Sequence, residues 1–203
     1  MMRRAKSEGR RAALLLALCL AGCKLDSRAD YLGDKNPRRF GIGRTPNATE
    51  IAAVDIDVSP NGAGLPAGSG TPEQGAPIFA GACASCHGAN GEGKAPAYPQ
   101  LVGGPKGVFN FASDPKIPRT IGNYWPYATT LYDYIRRAMP LTAPGSLNAD
   151  QTYAVTAFLL NKEGIIPDGT VLDAKSLTAI KMPARDHFVS DDRAGSTGGK
   201  NVR

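Results

Sequence analysis

Apolar positions along this chain gather in a few groups, separated by long stretches rich in glycine, proline and aspartate. The first is the unbroken run Ala12 to Ala21, too short to cross a bilayer core of roughly 30 Å as a helix. Residues 23–70 show little periodicity and read as an extended arm. Within that arm, Glu50 to Val58 holds enough apolar residues to pack on a domain or on a partner. The first predicted helix opens at Thr71-Pro72-Glu73-Gln74, a capping box with proline at the first helical position, and runs through Ile78 and Phe79. Pro77 would remove a hydrogen bond inside it, so the helix is expected to bend there or to start a turn later. Leu131, Tyr134, Ile135 and Ala138 form an i, i+3, i+4, i+7 stripe that stops against Pro140 and predicts a second helix. A third is predicted from Asn148, with Gln151 as reciprocal cap, through Tyr153, Ala154, Ala157, Phe158 and Leu160 to Gly164. The fold class is therefore mainly α, one domain over residues 71–188 with a flexible tail over 189–203.

The N-terminal run has the form of an export signal, because Arg3, Arg4, Lys6, Arg10 and Arg11 precede it. It ends in Leu20-Ala21-Gly22-Cys23, which resembles the lipobox of bacterial lipoproteins. Cleavage after residue 22 would leave Cys23 to be lipidated, and two or more acyl chains anchor a protein stably to a membrane. The expected location is periplasmic, on a lipid anchor. The signal carries five of the 24 basic and one of the 18 acidic residues, so residues 23–203 hold 19 and 17, a net charge of +2. The basicity of the whole chain thus belongs to the signal and does not point to nucleic acid.

Chemistry concentrates in Cys83-Ala84-Ser85-Cys86-His87, two thiols and an imidazole at the spacing of a c-type haem attachment site. In such a site both cysteines add to the vinyl groups of one covalent haem c and the histidine binds its iron. Structural zinc would need a second pair of ligands downstream, which the sequence lacks. A thioredoxin-like pair would need a βαβ context and leaves His87 without a role. With Cys19 in the signal and Cys23 lipidated, no cysteine remains for a disulfide or for an axial thiolate. Gly88 and Gly91 suit the turn after His87.

Helix, Cys-x-x-Cys-His, Gly- and Pro-rich loop, methionine and aromatic-bearing last helix together resemble a class I cytochrome c. The resemblance implies that Phe79 meets Tyr153 or Phe158 where the first and last helices cross. It also implies a methionine on the far side of the iron. Met139 is the leading candidate, since Pro140 turns it out of the second helix into extended backbone. Met182, His187 or an open position are the alternatives. Trp125, with Tyr124 and Tyr127, suits either packing or the haem edge and propionates. Arg136 and Arg137 suit propionates, a partner's carboxylates or a solvated helix face.

Longer strings narrow the resemblance. Phe40-Gly41-Ile42-Gly43-Arg44, Thr120 to Ala128, Tyr134 to Pro140 and Lys181 to Asp186 are similar to the cytochrome subunit of periplasmic sulfite dehydrogenases and to the related sulfur dehydrogenase haem subunit. That resemblance implies a molybdenum-cofactor dehydrogenase subunit as electron donor and a downstream cytochrome or oxidase as acceptor. It makes the chain an electron-transfer protein, not itself an enzyme. The sulfur dehydrogenase subunit normally carries two haem motifs, and the single one here favours the sulfite side. A free membrane-tethered carrier and, less favoured, a stand-alone haem enzyme are the other functions the chain admits.

Overall fold

The computed structural model describes residues 43–109, 111, 114 and 116–189. The chain divides after Pro46, and the architecture below belongs to the compact unit that begins at Asn47. The signal, Cys23 and nearly all of the C-terminal tail lie outside the described residues. Within them the secondary structure is helical, with two isolated bridges, Gly70 to Leu172 and Lys94 to Tyr98. The helices are α1 Ala48–Val54, α2 Pro72–Ala82, α3 Ala84–His87, α4 Ile121–Tyr124, α5 Ala128–Ala138, α6 Ala149–Lys162 and α7 Ala174–Thr178, followed by a 3₁₀ turn at Arg185–His187.

Local chemistry sets the ends of α2 and α6. The Gln74 N–H donates to Thr71 Oγ1 at 3.3 Å and Gln74 Oε1 accepts from the Thr71 N–H at 3.0 Å. Asn148 and Gln151 repeat the exchange at 2.9 and 3.0 Å, and Gly164 closes α6 at φ +71°. α2 starts at Pro72 and keeps Pro77 inside it on the exposed side, so it does not start late. α6 is buried without a break from Thr152 to Leu160, as a helix surrounded by other elements must be.

The core forms where α2 and α5 pack on α6. Phe79 meets Phe158 with ring centroids 4.9 Å apart, and Tyr132 meets Tyr153 at 4.5 Å. The α2–α6 crossing is close because Gly75 puts no side chain between the backbones: a Cβ there would lie 2.0 Å from the Ala154 carbonyl oxygen. On α5 the buried residues include Ala128, Leu131, Tyr132 and Ile135, whereas Tyr134 is 46% exposed. The stripe expected through Tyr134 is therefore turned toward Tyr132, which keeps the same helical period from a different start.

Of the arm expected over residues 23–70, residues 47–70 belong to the compact unit. Side chains of α5 and α6 bind its backbone. Asp133 Oδ1 accepts from the Val58 N–H at 2.8 Å, Thr129 Oγ1 donates to the Pro60 carbonyl at 3.0 Å, and Tyr153 Oη donates to the Pro66 carbonyl at 3.0 Å. Asp150 Oδ1 accepts from the Ser69 N–H at 2.8 Å. A segment without periodicity was legible as irregular, but these partners lie 69 to 87 residues away in sequence.

Asp133 is the centre of that strap. Burial works to raise its pKa, but hydrogen bonds from Arg137 and the Val58 N–H, with the charges of Arg137 and Arg136, outweigh burial and hold the carboxyl below its usual range. A depressed carboxyl contributes its stability fully above its unfolded value, near pH 4, and loses it as pH falls through the lower folded value. Asp133→Asn should cost about 1–3 kcal/mol, chiefly through the weakened bond to Val58. Limited proteolysis would check it: cleavage within residues 56–64 should be faster in the variant near pH 7, and in the wild type should rise only as the pH drops below about 4.

Candidate functional site

Cys83 caps the C-terminal end of α2, and its carbonyl accepts from the N–H groups of Cys86 at 3.1 Å and His87 at 2.9 Å. That bend starts α3, a single turn carrying Cys86 and His87, so the two thiols sit three residues apart on one turn. Gly88, at φ +80°, ends it, and the chain folds back: the Gly93 N–H donates to the His87 carbonyl at 2.7 Å. Gly91, at φ +81°, lets its carbonyl accept from both Leu101 and Val102. Both glycines thus serve the turn, as their positions after His87 suggested.

The returning loop places the Pro99 carbonyl 3.1 Å from His87 Nδ1. A carbonyl only accepts, so Nδ1 is the donor, and Nε2 is the ring nitrogen left to bind a metal. Nε2 has no hydrogen-bond partner among the described residues. This is the arrangement of a metal-binding histidine whose ring is oriented by an outer hydrogen bond. Nothing in the sequence marked Pro99, because the acceptor is a backbone atom.

Cys83 and Cys86 are free thiols, half-buried. Burial, then the neighbouring Cys86, pushes the Cys83 thiol up to about 11. A dithiol redox pair needs a lowered pKa in its attacking cysteine, so this environment argues against that reading. It fits thiols that end in thioethers, which carry no charge at any pH.

Met139 follows the last residue of α5. Its N–H still bonds the Ile135 carbonyl at 3.1 Å, while its backbone is extended, φ −123° and ψ 149°, as the following proline favours. Its side chain is half-buried. Tyr132, on α5, has a buried hydroxyl with no hydrogen-bond partner among the described residues. Burial, then the nearby Tyr153, raises its pKa, so it stays a neutral donor.

The remaining candidates are engaged elsewhere. Met182 is 1% exposed, inside the core with Leu172 and Leu177. The His187 ring lies on Phe109, centroids 4.0 Å apart. Trp125 packs edge-on against Tyr134 at 5.7 Å and against the core. Arg136, one of the candidates for a propionate, donates from Nη1 to the Ile56 carbonyl at 3.0 Å. Arg137 is held by Asp133 one turn before it. A cavity of about 360 Å³ lined by Thr120, Asn123, Glu163, Lys106 and Lys181 includes none of the Cys83–His87 residues or Met139.

A helix-borne Cys-x-x-Cys-His turn, an oriented imidazole and a two-helix aromatic crossing define a cytochrome c domain. The family "Cytochrome c" matches residues 72–163, and the chain belongs to it. More particularly, the chain is similar to a chain in the crystal structure of the sulfane dehydrogenase SoxCD from Paracoccus pantotrophus, with 42% sequence identity and a TM-score of 0.66. The match covers 76% of this chain and 74% of that one. No curated protein matches the chain. Three quarters of the chain is about 154 residues, whereas residues 72–203 number 132, so the match reaches at least about twenty residues into the segment before α2. The family carries electrons on covalently bound haem c.

Proposed function

We propose that Cys83 and Cys86 hold one haem c as thioethers, that His87 Nε2 and the Met139 sulfur are its axial ligands, and that Cys23 carries a lipid anchor in the periplasm. In this reading the chain is the electron-transfer subunit of a molybdenum-containing, sulfite-oxidising dehydrogenase, passing electrons to a downstream cytochrome or oxidase. The hydrogen bond from His87 Nδ1 to Pro99 carries the haem assignment. The 42% identity to a sulfane dehydrogenase chain supports the partner.

When bound, haem c supplies an iron that cycles by one electron. The chain's residues decide what that iron does. Pro99 holds the imidazole in one orientation, and by accepting a hydrogen bond from Nδ1–H strengthens Nε2 as a ligand. A Met139 thioether binding the iron together with His87 would favour the reduced state and suit electron relay.

Sulfite tests the reading. Added without air to the protein purified together with its molybdenum subunit, sulfite should reduce the haem, read from its sharpened visible bands. The cytochrome alone should stay oxidised. No reduction in the molybdenum-containing complex would sink the sulfite assignment.

A further inference from the structure

Helix α1 is a helix with no evident reason to form. It has seven residues, none of them buried, where isolated helices shorter than about 12–15 residues are marginal in water. Yet it is closed by a full capping box: the Glu50 N–H donates to Asn47 Oδ1 at 3.0 Å, and the Asn47 N–H to Glu50 Oε2 at 2.9 Å. Ile51 and Val54, three residues apart on one face, are 47% and 77% exposed, and Ile56 just beyond is 36% exposed. Apolar side chains presented on a preformed helix are what a helix-in-groove contact uses.

Its position relates it to the site. The Ile56 carbonyl is bound by Arg136, and Arg136 is one turn before Met139 on α5. Val58 is bound by Asp133 on the same helix. The segment leaving α1 is thus fastened to the helix that delivers the proposed methionine ligand.

Charge selects the occupant. The helix and its exit carry Glu50, Asp55 and Asp57, with no basic residue from Ala48 to Asp57. Helices that lie on membranes carry lysine and arginine on their polar face, so this one is set against anionic lipid. The match to a chain of a dehydrogenase assembly reaches at least about twenty residues into the segment before α2, beyond the residues that match the cytochrome c family. We infer that α1 is a docking helix for the dehydrogenase partner, its Ile51 and Val54 seated in an apolar groove rimmed by basic residues. This rests on the electron-donor reading above and names the surface through which it operates.

The test purifies tagged full-length protein in detergent from the bacterium that makes it, and measures molybdenum per haem iron. Wild type should carry molybdenum in amounts comparable to its haem. Ile51→Glu with Val54→Glu should keep the haem spectrum, since neither residue is buried, and lose molybdenum tenfold or more. Asp55→Lys should lose less and by an amount that shrinks at high salt. Full molybdenum in the double variant overturns the docking role and leaves the donor reading intact. A wild type without molybdenum overturns both. Molybdenum retained in the double variant, together with loss of self-association in light scattering or of binding to phosphatidylglycerol vesicles, assigns α1 to a second copy or to lipid and likewise overturns the inference.

Discussion

Replacing Met139 with alanine should abolish the weak methionine-to-iron absorption band at the red end of the visible spectrum. It should also lower the midpoint potential by a sizeable share of the roughly 0.8 V over which axial ligands set haem potentials. The loss should come with little change in folding, because Met139 sits at the half-buried end of α5 and not inside the core. Met182→Ala should do the reverse. Its side chain is 1% exposed among Leu172 and Leu177, so truncation should cost about 2–5 kcal/mol while the band stays. His187→Ala, in an exposed 3₁₀ turn, should change neither much. Visible spectra, a potentiometric titration and denaturant unfolding of the three variants separate ligand from packing. A band that survives in the Met139 variant would end the assignment.

That contrast also shows what the sequence could and could not decide. Met139 and Met182 both precede proline and both follow a helix, so local rules treat them alike. They differ in burial, a property of the assembled core. Helix ends, by contrast, rest on residues three apart, and Thr71 with Gln74 and Asn148 with Gln151 were readable before any fold was known. Tyr132 and Tyr134 are chemically identical and two positions apart, so a periodicity argument can choose the wrong one without being wrong about the helix.

The less legible part of the site is made of backbone atoms and of distant partners. Pro99 acts through its carbonyl, which every residue has, and only the loop's return makes it the partner of His87. Arg136 and Arg137 looked like charges for a propionate or a solvated face. Arg136 donates to a carbonyl 80 residues earlier and Arg137 to an aspartate one turn earlier, both holding the strap, while Arg137 stays exposed. An arginine's donors fit any carbonyl or carboxylate of the right geometry, so its residue type alone does not say which.

Gly75→Ala and Gly81→Ala should act in opposite directions, although both lie in α2 and both replace glycine by the best helix former. Propensity alone favours each by about 1 kcal/mol. At Gly81 nothing lies within 4 Å of the new Cβ, so that gain should appear, raising the melting temperature by roughly 2–4 °C. At Gly75 the Cβ would meet the Ala154 carbonyl oxygen at 2.0 Å, its carbon at 2.6 Å and Phe158 Cβ at 2.8 Å. Two of those atoms are backbone of a helix buried along nine consecutive residues, and cannot rotate aside. Relief requires α2 and α6 to separate, which opens the Phe79 to Phe158 contact at the same crossing. Overpacking typically costs about 1–3 kcal/mol, and here it falls on rigid backbone, so the loss should reach the top of that range or exceed it. Against a total stability of about 5–15 kcal/mol, that is enough to leave the variant partly unfolded at growth temperature. Because α2 runs directly into Cys83, the same displacement should disturb the attachment turn, and the variant should recover less covalent haem per chain than wild type. Equal melting temperatures for the two variants would mean that the helices do not cross at Gly75.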